Sequence, residues 1–315
     1  MSGRVRGAPI ASSHTHRPRP GEQHHKTRIE DPSFRLRDHH TPPTLPPSPK
    51  TGLNLETLHK PALKLADYLH AERAAPPAAI SRPHPGFNWG MLANDRIGDC
   101  VIAMMLHSIE DFHLDAGTPV PAFTDGDAIK MYSEITGYDP NDPNSDQGTN
   151  EVTAMAYWQS PGLRTSDGVD HQIVATVAVD PSNLNECRIA IDEFVDLQIA
   201  IALPLTAQGQ TEWTVVGNGR TGHSAPGSWG GHGIPYREYD GDTFKCVTWG
   251  AELLLTVPFH QDYAQEAHVV VTKEMLDRTG VGPSGVTWDQ LIADIKVLSS
   301  APAVKPGVGS TEPAV

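Results

Sequence analysis

Apolar residues crowd into a few stretches of this chain and are nearly missing from its first fifty positions. The densest run begins at Cys100-Val101-Ile102-Ala103-Met104-Met105-Leu106 and continues to Gly117. A segment apolar on nearly all sides in its first turns predicts a helix in the middle of a domain, with Asp99 as N-cap and Gly117 near its C-terminus. Further helices are expected over 127–136, 149–159, 183–197 and 288–298, where apolar positions recur at helical spacing. Strands are expected over 171–179, 199–203, 213–216, 252–257 and 267–272, with a hairpin around Asp240-Gly241-Asp242. Leu55, Leu58, Leu65, Tyr68 and Leu69 suggest an amphipathic helix over 53–73, broken or kinked by Pro61. Helix-rich and strand-rich stretches, mostly antiparallel, imply an α+β fold with a cleft between its halves.

Composition and charge divide the chain differently. Half of the 28 prolines and nine of the 16 histidines precede Phe87. Residues 1–50 carry nine Lys/Arg against four Asp/Glu, a net +5, and the remainder carries −19, giving −14 in all. The division expected is a basic Pro/His-rich arm over 1–52, a helix and linker over 53–87, a folded domain over 88–300 and a disordered tail over 301–315. The arm has too few hydrophobes to bury surface by itself. It carries Arg17-Pro18-Arg19-Pro20 and the stiff stretch Thr41–Pro49, and it is expected to dock on another protein subunit rather than on nucleic acid. No run of signal-peptide or membrane-spanning type stands out. Three cysteines without a secretion signal suit a reducing, cytoplasmic or virion-associated setting.

Several motifs imply less than they suggest. Gly217-Asn218-Gly219-Arg220-Thr221-Gly222 spells a dinucleotide-binding pattern, but Ser224-Ala225-Pro226 follows where a helix is required. The oxygen-rich stretch Tyr138–Gly148 lacks the spacing of a twelve-residue calcium loop and reads as an Asx/Pro turn. His14, His16, His24, His25, His39 and His40 lack structural-zinc spacing. No metal and no cofactor is expected.

Two stretches do carry chemistry. A cysteine at the first turn of a helix faces the positive end of its dipole, which favours the thiolate, while Asp99 opposes it. A thiol nucleophile also needs a base from elsewhere in the chain. His232 opens the strand reading Gly230-Gly231-His232-Gly233-Ile234, and the next strand ends at Thr248-Trp249-Gly250. Cys187 and Cys246 read as core residues, and His223 lies in a loop.

This order resembles the papain-like cysteine peptidases over roughly Asn88 to Thr272. There the cysteine opens the central helix, the histidine opens a strand with Tyr seven residues on (here Tyr239), and the following strand ends in Asn-Ser-Trp-Gly. The resemblance implies Cys100 as nucleophile and His232 as base. It implies Asn94 as oxyanion donor, in place of the family's glutamine six residues before the cysteine, and Trp249 and Gly148 at the substrate. The family's orienting asparagine falls on Val247, which cannot hold an imidazole, so Thr248 is the candidate if the register shifts. The family's disulfides and Cys-Gly-Ser-Cys-Trp run are absent. Two functions follow: a thiol hydrolase acting on peptide or amide bonds, or a catalytically impaired scaffold of a large assembly such as a virion, docked by its arm.

Overall fold

The computed structural model describes residues 26–47, 49–56, 61–70, 75–166, 168–217 and 220–300. The Arg17–Pro20 segment, His14, His16, His24, His25 and the 301–315 tail lie outside the described residues. The elements run β1 (Thr27–Ile29), β2 (Leu63–Lys64), β3 (Ala79–Ser81), α1 (Cys100–Asp115), α2 (Asp125–Thr136), α3 (Glu151–Gln159), β4 (Leu163–Arg164), β5 (Asp170–His171) and β6 (Ile173–Val179). Then follow α4 (Leu184–Phe194), β7 (Leu197–Leu203), β8 (Glu212–Trp213), β9 (Gly230–Tyr239), β10 (Thr243–Thr248), β11 (Ala251–Thr256), α5 (Val257–Tyr263), β12 (Ala264–Thr272) and α6 (Trp288–Ser300). The fold is α+β: the strand order is β2-β6-β12-β7-β9-β10-β11-β8, with β1 and β3 joined to β9. Among the named strands of the described residues, β2 with β6 and β8 with β11 pair in parallel and the others antiparallel.

β7 is buried on both faces, which is why it reads as an unbroken apolar run. Ile199 and Ile201 join the core beneath α4, α5 and α6, whereas Ala200 joins the core around α1, α2 and α3. The period of two along a strand puts Ala267, Val269 and Val271 of β12 in the first core and Val270 in the second. The sheet therefore separates two apolar layers, with α1 lying across β9. Gly233 faces α1, and a Cβ there would make van der Waals contact with Val101 and Met104 at 3.4 Å.

A buried charge network closes the far end of this contact. Arg237 donates to Asp111 at 2.9 Å and to Glu238 at 2.6 Å, and Lys245 donates to Glu238 at 3.1 Å. Arg82 adds a bond to Asp115 at 3.1 Å. Removing one partner from such a network typically costs about 3–5 kcal/mol, because the remaining charge stays buried.

Of the helix expected over 53–73, residues 57–60 (with Leu58) and 71–73 lie outside the described residues, and the described ones form no α-helix. Leu53 makes isolated bridges, Leu63–Lys64 is β2, and Leu65–Tyr68 is a single 3-10 turn. Pro61 removes the helix donor, and Leu63, Leu65 and Tyr68 gain more by joining the sheet-side core. Two further differences are local. β8 stops at Trp213 rather than 216, and α5 arises where Thr256 caps Phe259 with proline in its first turn. The described part of the arm lies on the chain's own body. β1 pairs with β3, Lys26 and Arg28 pair with Asp192, and Arg37 pairs with Glu212. No helix among the described residues is long and apolar enough to cross a membrane.

Candidate active site

Cys100 is the first residue of α1 and is 1% exposed. Asp99 occupies the N-cap position but its side chain makes no capping bond; it accepts instead from Asn94 Nδ2 at 3.1 Å. The helix terminus and the N–H groups of Gly233 and Gly52 favour the thiolate, while burial and the Asp99 carboxyl disfavour it. A helix terminus contributes about 1 kcal/mol, less than one pH unit of acidity. Burial wins and pushes the thiol up to about 12. In this closed form the group is a thiol.

His232 is the third residue of β9 and stands next to Gly233, whose N–H lies at the Cys100 sulfur. Its Nε2 is 2.8 Å from Thr248 Oγ1, while its Nδ1 has no hydrogen-bond partner among the described residues. Burial pushes the imidazole down to about 3. Thr248 lies on the face of β10 that carries Phe244 and Cys246, and the pairing of β10 with β9 shifts between Lys245 and Cys246, where the partner steps from Glu238 to Tyr236. Val247 points to the other face, where it packs with Trp89 and Leu114.

Trp249-Gly250 is a two-residue hairpin loop between the paired residues Thr248 and Ala251. Both residues have positive φ, 46° and 72°, as the tight turn with right-handed twist demands. That turn lays the Trp249 indole on His232, with centroids 4.4 Å apart and planes 18° apart. Trp229 stacks on the outer face of Trp249 at 5.4 Å.

The space above Cys100 is filled by the chain itself. Lys50 N–H donates to Asn94 O at 3.3 Å, and Trp249 Nε1 donates to Lys50 O at 3.0 Å. Gly52 and Leu53 N–H both donate to Gly231 O, at 3.1 and 2.9 Å. Thr149 N–H donates to Gly52 O at 2.7 Å, and Asn54 N–H donates to Thr149 O at 3.2 Å. The segment Lys50–Asn54 thus runs from Trp249 across the thiol to Thr149, held by backbone bonds that ignore side-chain identity. The close approach requires glycine: a Cβ on Gly52 would stand 1.9 Å from Gly98 O, and one on Gly148 2.1 Å from Gly52 O.

The strip touches Cys100, Trp249 and Gly148, while His232 and Thr248 stand beside Trp249; among the described residues Cys100 and His232 form no hydrogen bond with each other. Gly148 contributes space rather than bonds, since its own N–H goes to the Tyr132 hydroxyl at 2.9 Å. Asn94 is adjacent, but its Nδ2 donates to Asp99 and, at 3.4 Å, to Ile97 O, which occupies both of its donors. Gly231, Thr149 and Gly52 were not singled out from the sequence. The signal for Gly52 and Gly231 was glycine itself, which is common throughout this chain, and Thr149 carried none.

A second cysteine–histidine contact exists and differs in kind. Cys187 Sγ is 4.0 Å from His260 Nε2 in the sheet-side core. That nitrogen is 2.7 Å from Pro181 O, a carbonyl that can only accept, so Nε2 carries the proton and cannot take one from the thiol.

The structure is similar to solved papain-like cysteine proteases. Xylellain, a cysteine protease from Xylella fastidiosa, matches at 13% identity and TM-score 0.49, over 71% of this chain and 97% of that one. Digestive procathepsin L 3 of Tenebrio molitor larval midgut matches at 11% identity and TM-score 0.46, over 71% and 76%. A cysteine protease of Carica candamarcensis matches at 12% identity and TM-score 0.40, over 62% and 99%. No family model matches the sequence, and no curated protein matches it.

Proposed function

We propose that this chain is a thiol hydrolase of peptide or amide bonds, held closed by its own residues 50–54. The observation that carries the reading is the imidazole of His232, fixed on Nε2 by Thr248 and flattened against Trp249, with the N–H of the next residue, Gly233, at the sulfur of the cysteine that opens the central helix. That arrangement leaves Nδ1 as the nitrogen able to take the Cys100 proton. With the arm withdrawn, Cys100 Sγ–H passes its proton to His232 and the sulfur attacks the carbonyl carbon, forming a C–S bond and an oxyanion. Donors to that oxyanion are the Cys100 backbone N–H and the Asn94 amide once it leaves Asp99. Collapse of the intermediate breaks the C–N bond, and His232 returns its proton to the leaving amine. Water then gives a proton to His232 and attacks the thioester, and the C–S bond breaks to free the acid and the thiol.

A filled cleft also supports a second reading, a scaffold that retains the fold without catalysis and serves in an assembly such as a virion. One experiment separates the two: alkylation of the full chain by iodoacetamide, followed by mass spectrometry, in wild type, Gly52→Val and His232→Ala/Gly52→Val. The hydrolase reading expects Cys100 to react faster in Gly52→Val and to lose that gain when His232 is removed. Equal rates with and without His232 would overturn it in favour of the scaffold.

A further inference from the structure

The end of α1 farthest from Cys100 borders a cavity of about 510 Å³. Ile109, on its wall, stands nine residues beyond Cys100, which puts the cavity roughly 14 Å along the helix from the thiol. The walls come from both apolar layers. Ile109, Trp158 and Ile173 belong to the helical core, Val195 and Met275 belong to the sheet-side core, and Phe112 packs against both. Just past the end of β12 the two layers part, and the space between them is of the size and lining that take a small organic molecule.

The charged groups on this cavity are not evenly matched. Arg278 is half-buried on its wall. Among the described residues it makes one hydrogen bond, to Glu193 O, and no ion pair with a carboxylate. Its guanidinium lies over the Trp288 ring, 4.6 Å from the centroid, which fixes the plane of the fork. A guanidinium has five N–H donors, so one carbonyl leaves most of them to be filled. Burial pushes its pKa below the ordinary guanidinium value, and the Glu193 and Asp115 carboxyls offset that only in part. Lys273, on the same wall, is exposed and donates to the Gln172 amide oxygen at 3.4 Å. The carboxylates that could answer these cations are engaged or at the edge. Asp115 accepts from Arg82 at 3.1 Å, Asp170 stands 3.6 Å from Arg164, and Glu274 is exposed.

We propose that this cavity binds a small organic carboxylate with an apolar body, its carboxylate on Arg278 and its body among Phe112, Trp158 and Met275. A planar fork held by stacking matches the two oxygens of a carboxylate, and such a charge-assisted pair is stronger than the single bond to a carbonyl. A doubly charged phosphate suits the site less, because Asp115 and Glu274 line it as well. No spacing in the sequence points here, since the residues come from positions 109 to 278. The site is separate from the thiol and stands whether or not Cys100 is active.

The test uses the full chain with octanoate and octanamide, probes equal in length that differ in charge. By calorimetry, wild type is expected to bind a single equivalent of octanoate roughly tenfold more tightly than octanamide, as a charged hydrogen-bond pair exceeds a neutral one. With methyl-labelled methionine, nuclear Overhauser contacts from the octanoate chain should reach Met275, whose signal is assigned by its loss in Met275→Leu. Arg278→Gln should abolish the preference for acid over amide and keep the binding of octanamide. The ratio of acid to amide in wild type and the Met275 contact need no variant at Arg278, so they decide the matter if Arg278→Gln does not fold. Equal affinity for the two probes, a preference that survives in Arg278→Gln, contacts confined to other methionines, or no binding at millimolar octanoate would each overturn the proposal.

Discussion

His232 Nε2 lies 2.8 Å from Thr248 Oγ1, so a threonine hydroxyl holds the imidazole of this site. The hydroxyl can donate or accept, and the ring can therefore adopt the tautomer that leaves Nδ1 as acceptor. Thr248→Val keeps the shape and removes the bond. In a Gly52→Val background it should slow iodoacetamide reaction at Cys100 by roughly 100-fold, a size usual for disabling a general base. Stability should fall by about 1–3 kcal/mol, since the ring nitrogen stays buried without a partner. Thr248→Asn should keep most of the reactivity. Equal alkylation rates in Thr248→Val and its parent would show that the bond plays no part.

The arm is the next element open to test. Lys50–Asn54 is held by backbone bonds to Asn94, Gly231 and Thr149, and only glycine fits at 52. Gly52→Val forces the strip off Gly98. Cys100 is then expected to move from unreactive to labelled within minutes at neutral pH, with the fold intact by circular dichroism. If wild type is already labelled at the rate of Gly52→Val, the strip does not close the site.

Buried groups set opposing trends of stability with pH. Burial holds His232 at about 3 and His107 at about 4, below the ordinary 6.5. The unfolded chain therefore takes up protons that the native chain refuses as pH falls below 6.5, and stability is lost toward pH 3. Burial raises Glu110 from 4.5 to about 9 and Asp196 from 3.8 to about 8. For these the native chain keeps protons that the unfolded chain releases, so stability falls as pH rises through the window up to 8–9. Each group contributes a slope of about 1.4 kcal/mol per pH unit inside its window. The trends cancel near pH 5–6, and the alkaline limb stands alone above 6.5. Urea midpoints between pH 6.5 and 8 should decline in wild type and decline less steeply in Glu110→Gln. An unchanged alkaline limb in that variant would refute the assignment.

How much of this was legible in the sequence follows from what each element depends on. α1 was legible because its apolar run permits only a buried helix, and β9 and β10 because alternation and the Asp240-Gly241 turn are local signals. Thr248 depended on register: the pairing of β10 with β9 shifts by one residue at Lys245/Cys246, and a bulge has no reliable spelling in one sequence. The strip at 50–54 was invisible for a related reason. Its partners lie 44 to 199 positions away along the chain, so nothing in its own periodicity records them. The helix expected over 53–73 failed because leucine spacing cannot tell a helix from separate anchors dropped into one core.

The Cys187–His260 contact is a second cysteine–histidine pair, and its geometry argues against thiol chemistry there. Nε2 donates to Pro181 O at 2.7 Å, Nδ1 is 3.4 Å from the Tyr236 hydroxyl, and the sulfur itself points to Asp180 O at 3.6 Å. Burial pushes this thiol up beyond the range in which water ionises it, with the Glu186 carboxyl adding to the effect. Cys187→Ser should therefore leave the alkylation rate at Cys100 unchanged in a Gly52→Val background, and Cys187 should react only as the chain unfolds in urea. In the native protein, Ellman's reagent should count one reactive thiol in Gly52→Val and none in wild type. Labelling of Cys187 ahead of Cys100 would reverse the order of the two pairs and move the nucleophile to the sheet-side core.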